Sequence, residues 1–335
     1  MVSISNSIGL DYHQDSVQVC VLDCGGRILA NRSCPNDFEV IRTVAEQWGP
    51  VGEVAIESCN GAADLAEELI TRAGWSVSLA HPGYVKRMKQ NPDKTDYSDA
   101  RMLADLVRVG YLPRVWLAPR DVLELREVTR YRQELVHQRR NEKLRIGALL
   151  RKHRVGRAPA RAWTRAWLDW LGGLPLREMT GRIIEKHLER VRQLNREIAE
   201  SETWLEALTQ DDPVVHKLRG FKGIGRVTAC VLRAEIGRFD RFRSGKQLAR
   251  FCGLTPQNAS SGARQADAGL IRASNRMLRT VLIEAAQRFM RFDPVSIELR
   301  HKLARAGKKY NVMVAAVANR WVRRLYHSMQ PGVAA

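Results

Sequence analysis

Asp11, Glu57, Asp96 and Asp99 are the side chains in this sequence whose types and placement could do chemistry. Asp11 ends the apolar run Ile8-Gly-Leu10, and Glu57 ends a second, Val54-Ala-Ile56. Asp96 and Asp99 stand three apart at the start of a helical pattern, so both project from one face. Carboxylates from two strand ends and one helix can converge, and their repulsion then calls for a cation. Hard oxygen donors suit Mg²⁺ or Mn²⁺. Two such ions, about 3.5–4 Å apart, stabilise both the attacking and the leaving oxygen in phosphodiester chemistry. These residues point to cutting or rejoining nucleic acid.

A second reactive group lies far along the chain. The polar stretch Gly253-Leu-Thr-Pro-Gln-Asn-Ala-Ser-Ser-Gly262 is followed by Arg264, Arg272 and Arg276. A loop serine among arginines suits attack on a phosphodiester, because guanidinium groups bind phosphate bidentately and offset the charge that builds there. Ser-Ser-Gly is also ordinary turn composition, and on residue physics alone the plain loop is the stronger reading.

The elements that must position these groups follow from periodicity. Residues 6–33 alternate as strands over Ile8–Asp11, Val17–Leu22 and Ile28–Arg32, with Gly25-Gly26 as a hairpin connection. Asn36 or Asp37 caps a helix carrying Phe38, Ile41, Val44 and Trp48. The strand ending at Glu57, a helix opened by Asn60-Gly61 and stopped at Gly74, a strand over Trp75–Ala80, and the Asp96/Asp99 helix follow. Three antiparallel strands and then alternating helix and strand is the order of a ribonuclease-H-like α/β domain, expected over 1–118. Long helical patterns at 119–154 and 183–208 flank a Trp-bearing stretch; they predict a helical or coiled-coil region over 119–210. Arg126, Arg130, Arg139 and Arg140 lie on the first of these helices, and we read them as a nucleic-acid-facing surface. An all-α domain is expected over 211–330. Its Gly223-Ile-Gly225 turn resembles a helix-hairpin-helix element, whose backbone N–H groups can hold a phosphate.

Composition agrees with a polyanion as partner. The net charge is +19 and the pI about 10.2. Up to position 115 there are 15 acidic and 11 basic residues, against 21 and 44 beyond it, so the excess belongs to the later part and not to the carboxylates. The six cysteines lack metal-ligand spacing and read as thiols of a reducing cytosol. No apolar run approaches the ~18 residues of a membrane span, so a soluble, cytoplasmic protein is expected.

Several strings carry a resemblance. Lys94-Thr-Asp-Tyr-Ser-Asp-Ala-Arg-Met-Leu-Ala104 resembles the Lys-Thr-Asp-x-x-Asp-Ala-x-x-Leu-Ala motif of the DEDD insertion-sequence transposases, a family that includes the Piv invertase and the bridge-RNA-guided recombinases. Gly9-Leu-Asp-Tyr-His13 and Ile56-Glu-Ser-Cys-Asn-Gly61 fall where that family has its first Asp and its Glu. Phe251-Cys-Gly-Leu-Thr-Pro256, Ser260-Ser-Gly262 and Asn275-Arg-Met-Leu-Arg279 are similar to its C-terminal transposase domain. The resemblance implies a RuvC-like N-terminal domain with divalent metal on Asp11, Glu57, Asp96 and Asp99, and a covalent phosphoserine link through Ser261, with Ser260 adjacent. It also implies double-stranded DNA as substrate, a structured bridge RNA as guide, a homo-oligomer from dimer to tetramer, and action at the bacterial nucleoid. Gln14 stands where many members have Lys, and Arg272-Ala-Ser274 replaces a more usual Lys-x-Gly; neither is a proposed catalytic group.

Two other readings use the same residues. A RuvC-like endonuclease or junction resolvase would use the carboxylates alone. A nucleic-acid-binding scaffold would need none of them, since an acid such as Asp99 also complements a helix dipole.

Overall fold

The computed structural model describes residues 5–88, 95–258 and 267–330. The chain divides into two compact units, Met1–Ala118 and Pro119–Ala335.

The first unit runs β1 (Asn6–Tyr12), β2 (Ser16–Leu22), β3 (Ile28–Pro35), α1 (Phe38–Glu46), β4 (Val51–Glu57), α2 (Ala62–Ala73), β5 (Ser76–Ala80), α3 (Pro82–Met88), α4 (Asp96–Arg108) and β6 (Arg114–Val115). One sheet has the order β3-β2-β1-β4-β5-β6. β1 is antiparallel to β2, and β2 to β3, while β1–β4 and β4–β5 are parallel. The period of two in the strands divides the core between two faces. Ile8, Leu10, Val17, Val19, Val21, Val54 and Ile56 pack with Phe38, Ile41, Leu65 and Leu69 from α1 and α2. The alternate residues are smaller. Cys20 and Leu22 meet Ala100 and Ala104 of α4, and Ala55 meets Leu103. Asp37 caps α1, its carboxylate accepting from Glu39 and Val40 N–H, and Gly74 ends α2 in the left-handed conformation.

The second unit is helical apart from one ribbon. It runs α5 (Arg120–Lys152), α6 (Arg165–Gly172), α7 (Glu178–Thr209), α8 (Pro213–Arg219), α9 (Arg226–Ile236), α10 (Gly245–Phe251), β7 (Pro256–Asn258), β8 (Asp267–Leu270), α11 (Arg276–Phe292), α12 (Pro294–Arg305) and α13 (Tyr310–Ser328). The antiparallel pair β7–β8 corrects the all-α expectation: Pro256–Asn258 is too short to show any alternation.

α5 and α7 lie antiparallel, because low numbers in one meet high numbers in the other. Leu135 packs on Leu194 and Ile198, and Ile146 on Ile184 and Leu188. Polar rungs sit between: Arg132 donates to Glu202 at 2.9 Å, Arg139 to Asn195 at 2.8 Å, and His187 meets buried Glu142. At the other end of the pair, Leu125 and Leu205 enter the main helical core with Leu218, Leu232, Leu248, Leu282, Phe289 and Val322. Among the described residues no helix is long and apolar enough to cross a membrane, and the six cysteines are free thiols.

Candidate active site

The carboxylates assemble by strand parity. Leu10 and Ile56 are partners across the parallel β1–β4 pair, so Asp11 and Glu57 leave the sheet side by side. Asp11 shares parity with Gly9, and Glu57 with Ala55, which places both acids toward the face that α4 covers. Gly9 lets that helix come close. A Cβ there would collide with the Ala100 carbonyl and lie 2.5 Å from the Ala104 nitrogen. No side chain larger than hydrogen fits between β1 and α4 as they stand.

The start of α4 is held in place locally. Thr95 caps it, accepting from Ser98 N–H in a capping box. Asn31 donates to the Tyr97 carbonyl at 2.9 Å, and Gln18 donates to Asn31 at 2.8 Å, tying the first turn to β2 and β3. Asp96 and Asp99 occupy that turn; Asp99 is 4% exposed, whereas the Asp96 side chain is 56% exposed. The helix dipole favours acids here. It would do so for either one alone and does not account for Asp11 and Glu57 beside them.

The electrostatics report the convergence. Burial holds the Asp11 carboxyl above the usual carboxylate range, and the charges of Asp99, Asp96 and Glu57 push it further up, with His13 opposing. All four acids therefore share one field. His13 Nε2 lies 3.4 Å from Asp11 Oδ2 and 3.3 Å from Asp96 Oδ2, and donor atoms of Asp11, His13 and Asp96 lie within 4.8 Å of one another. Burial, Glu57 and Asp11 also raise the Cys59 thiol, which places it at the edge of the same field. Crowded hard oxygens with one imidazole fit a divalent cation of the Mg²⁺ or Mn²⁺ type. His13 is absent from the sequence-based set. Its signal was parity, since it lies two residues beyond Asp11; Cys59 stands in the same relation to Glu57.

The other candidate residues are placed as follows. Ser260, Ser261 and Arg264 lie outside the described residues, between the paired strands β7 and β8. Arg272 and Arg276 are exposed on the far side of β8. Arg126 and Arg130 are both bonded to α9, Arg126 half-buried and Arg130 still exposed. Arg126 donates to the Ala234 carbonyl at 3.1 and 3.0 Å. Arg130 donates to Glu235 at 2.9 and 3.2 Å. Glu235, 4% exposed, also accepts from Asn275 at 2.6 Å, and Asn275 caps α11. Arg139 reaches Asn195, and Arg140 is exposed.

The chain is similar to known transposases over most of its length. Residues 8–154 match a family model for transposases of the DEDD, IS110 type, and residues 215–301 match the model of the transposase IS116/IS110/IS902 family. A probable family 20 transposase of Pseudomonas aeruginosa is 26% identical over 326 residues, 95% of either chain. The transposase of insertion sequence element IS1111A from Coxiella burnetii is 27% identical over 329 residues, 93% of this chain and 86% of that protein. A putative transposase of Sinorhizobium fredii, y4qE, is 27% identical over 284 residues, 75% of this chain and 68% of that one. With the two models covering most of its length, and with relatives matched nearly end to end, this chain belongs to the IS116/IS110/IS902 family of insertion-sequence transposases.

Proposed function

We propose that this protein cuts and rejoins double-stranded DNA at a divalent-metal site built by Asp11, Glu57, Asp96 and Asp99, forming a covalent phosphoserine through Ser261. The observation that carries the reading is the convergence of acids at one end of the sheet: Asp11 and Glu57 follow the paired Leu10 and Ile56, and donor atoms of Asp11, His13 and Asp96 lie within 4.8 Å of one another. The strand order β3-β2-β1-β4-β5, with its first three strands antiparallel, supports a RuvC/ribonuclease-H-like domain, where carboxylates stand on the first and fourth strands and a late helix.

Bound among these acids, a Mg²⁺ or Mn²⁺ ion supplies charge neutralisation and Lewis-acid polarisation at a phosphate oxygen. The chain's own residues do the rest. Asp11 and Glu57 sit on sheet ends backed by fully buried Leu10 and Ile56, so they are held still. His13, between Asp11 and Asp96, orients both carboxylates. In the transfer the Ser261 oxygen bonds to phosphorus as the bond to one DNA oxygen breaks, and the serine proton ends on the leaving hydroxyl. The reverse step on another strand rejoins DNA without ATP, because the ester bond is conserved in the protein. Arg272 and Arg276, with Arg264, suit contact with the attacked phosphate. Arg140 and the far face of α5 suit contact along the backbone.

Resemblance alone supports two further parts of the reading: a structured bridge RNA as guide and a dimer-to-tetramer assembly. The Gly223–Gly225 turn between α8 and α9, with no side chain capping α9, supports the helix-hairpin-helix comparison.

The test is a pair of variants. Ser261→Ala should abolish strand exchange and trapped protein–DNA adducts while leaving Mn²⁺ binding intact, and Asp11→Asn should abolish metal-dependent cleavage. Recombination persisting in Ser261→Ala and in the Ser260→Ala/Ser261→Ala double would overturn the serine role. A hydrolytic resolvase, which the acid cluster by itself would also support, would yield nicks and no adduct.

A further inference from the structure

The end of the α5–α7 hairpin farthest from the main helical core is strongly cationic, and the charges between the two long helices are unanswered. Between Glu142 and Asp169 the sequence holds no acidic residue. Arg151, Lys152, Arg154, Arg157, Arg161 and Arg165 are exposed, and none makes an ion pair among the described residues. Farther down the hairpin cations are paired, as Arg132 meets Glu202, Lys186 meets Glu189 and Arg192 meets Glu185, while at the tip Arg182 meets Glu178 at the start of α7.

Helix-dipole complementarity accounts for Arg151 and Lys152 in the last turn of α5. It does not account for the others. Arg165 opens α6, the end of a helix where a cation is unfavourable. Arg154 follows the α5 C-cap at φ 52°, with Val155 N–H returning to the Leu150 carbonyl at 3.0 Å. This is a helix-ending motif in which glycine is the unstrained choice. The other non-glycine residue with positive φ among those described is Trp163, at 69°, in the same segment. Trp163 packs 4.7 Å from Trp167, and Lys143 sits 4.5 Å over its ring. Backbone strain of this kind persists where the surroundings impose it, and it collects at functional sites.

We infer that this hairpin tip is a docking surface for the phosphate backbone of double-stranded DNA, built from residues other than the four carboxylates and Ser261. The choice of duplex follows from the aromatics. A surface for unpaired bases would offer free stacking faces, whereas Trp167 is buried and Trp163 and Trp170 pack against it. Distance fits as well. From Arg130, which contacts α9, to Lys152 the helix rises roughly 35 Å at about 1.5 Å per residue, close to one turn of B-DNA. The tip therefore reaches backbone about a turn away from any phosphate held by the helical core of its own unit. This inference rests on DNA being the substrate, and not on the metal or serine chemistry.

The test uses the full-length protein with Arg154→Gln/Arg157→Gln/Arg161→Gln/Arg165→Gln. Binding to a labelled duplex of random sequence is followed by anisotropy across a KCl series in EDTA, so that failure of the metal-site reading cannot affect the outcome. With four arginine–phosphate pairings removed, the slope of log affinity against log salt should become shallower by about 3–4, and each single variant should lose about 0.9. The matching Arg→Lys quadruple should restore the slope. The single variants keep the test decisive should the quadruple fail to fold. An unchanged slope overturns the inference, as does a slope that changes for a hairpin RNA and not for duplex DNA.

Discussion

Asp11 carries the sharpest consequence at the scale of single residues. Burial and three neighbouring carboxylates raise its pKa, so the folded protein holds that proton more tightly than the unfolded chain does. The stability this contributes is present below the ordinary carboxylate value of 3.8 and is lost as pH rises through the raised folded value. Without metal at neutral pH, Asp11→Asn should therefore raise Tm, and the gain should vanish as the pH falls toward 4. Mg²⁺ or Mn²⁺ should raise the Tm of the unsubstituted protein and leave that of Asp11→Asn nearly unmoved; calorimetry reads both. His13→Ala should weaken Mn²⁺ binding in titration calorimetry by roughly tenfold, the scale on which partners of a metal site act, and weaken Mg²⁺ less, since imidazole suits the softer ion. Asp11 and Glu57 were legible because each ends an apolar run. His13 was not, because its place depends on parity continuing one residue past the end of β1. Arg126 was open for another reason: a cation destined for a backbone carbonyl looks the same in sequence as one destined for phosphate, and Ala234 lies 108 residues away.

Among the elements, α4 and its seat on β1 govern the site. Gly9→Ala would drive a methyl group into the backbone of α4, which cannot rotate away as a side chain could. Overpacking costs about 1–3 kcal/mol, and relief requires moving the helix that bears Asp96 and Asp99. Such a variant should keep its far-UV spectrum, lose a few degrees or more of Tm, and lose metal-dependent cleavage. The junction of α9 and α11 makes a parallel case. Glu235→Ala leaves Asn275 and Arg130 without their acceptor; Arg130 keeps water, its side chain being 60% exposed, so the cost should be about 1–3 kcal/mol, read by urea unfolding. The regular elements were readable from period and caps, as with Asp37 before α1 and Gly74 after α2. β7 and β8 were not readable, since three or four residues cannot display alternation, nor was α6, whose tryptophans pack on α5 and α7 more than they follow a helical stripe.

For the molecule as a whole, charge and core are divided the same way. Each unit has its own apolar interior, so a fragment ending at Ala118 should fold cooperatively, bind Mn²⁺, and show a weak salt dependence toward DNA, while the cationic remainder keeps the steep one. A fragment that fails to fold would show that the second unit supplies part of the first one's stability.

The unbroken course of α5 has one more consequence. A rod anchored at one end and decorated at the other works as a ruler, and its graduations are helical turns. Excising seven facing residues from α5 and from α7 would shorten the rod by about 10 Å while nearly preserving its rotational phase; excising a single pair would swing the far end by about 100°. Footprints on DNA should then contract in the first case and vanish or shift face in the second, so that length and angle could be varied separately in one protein.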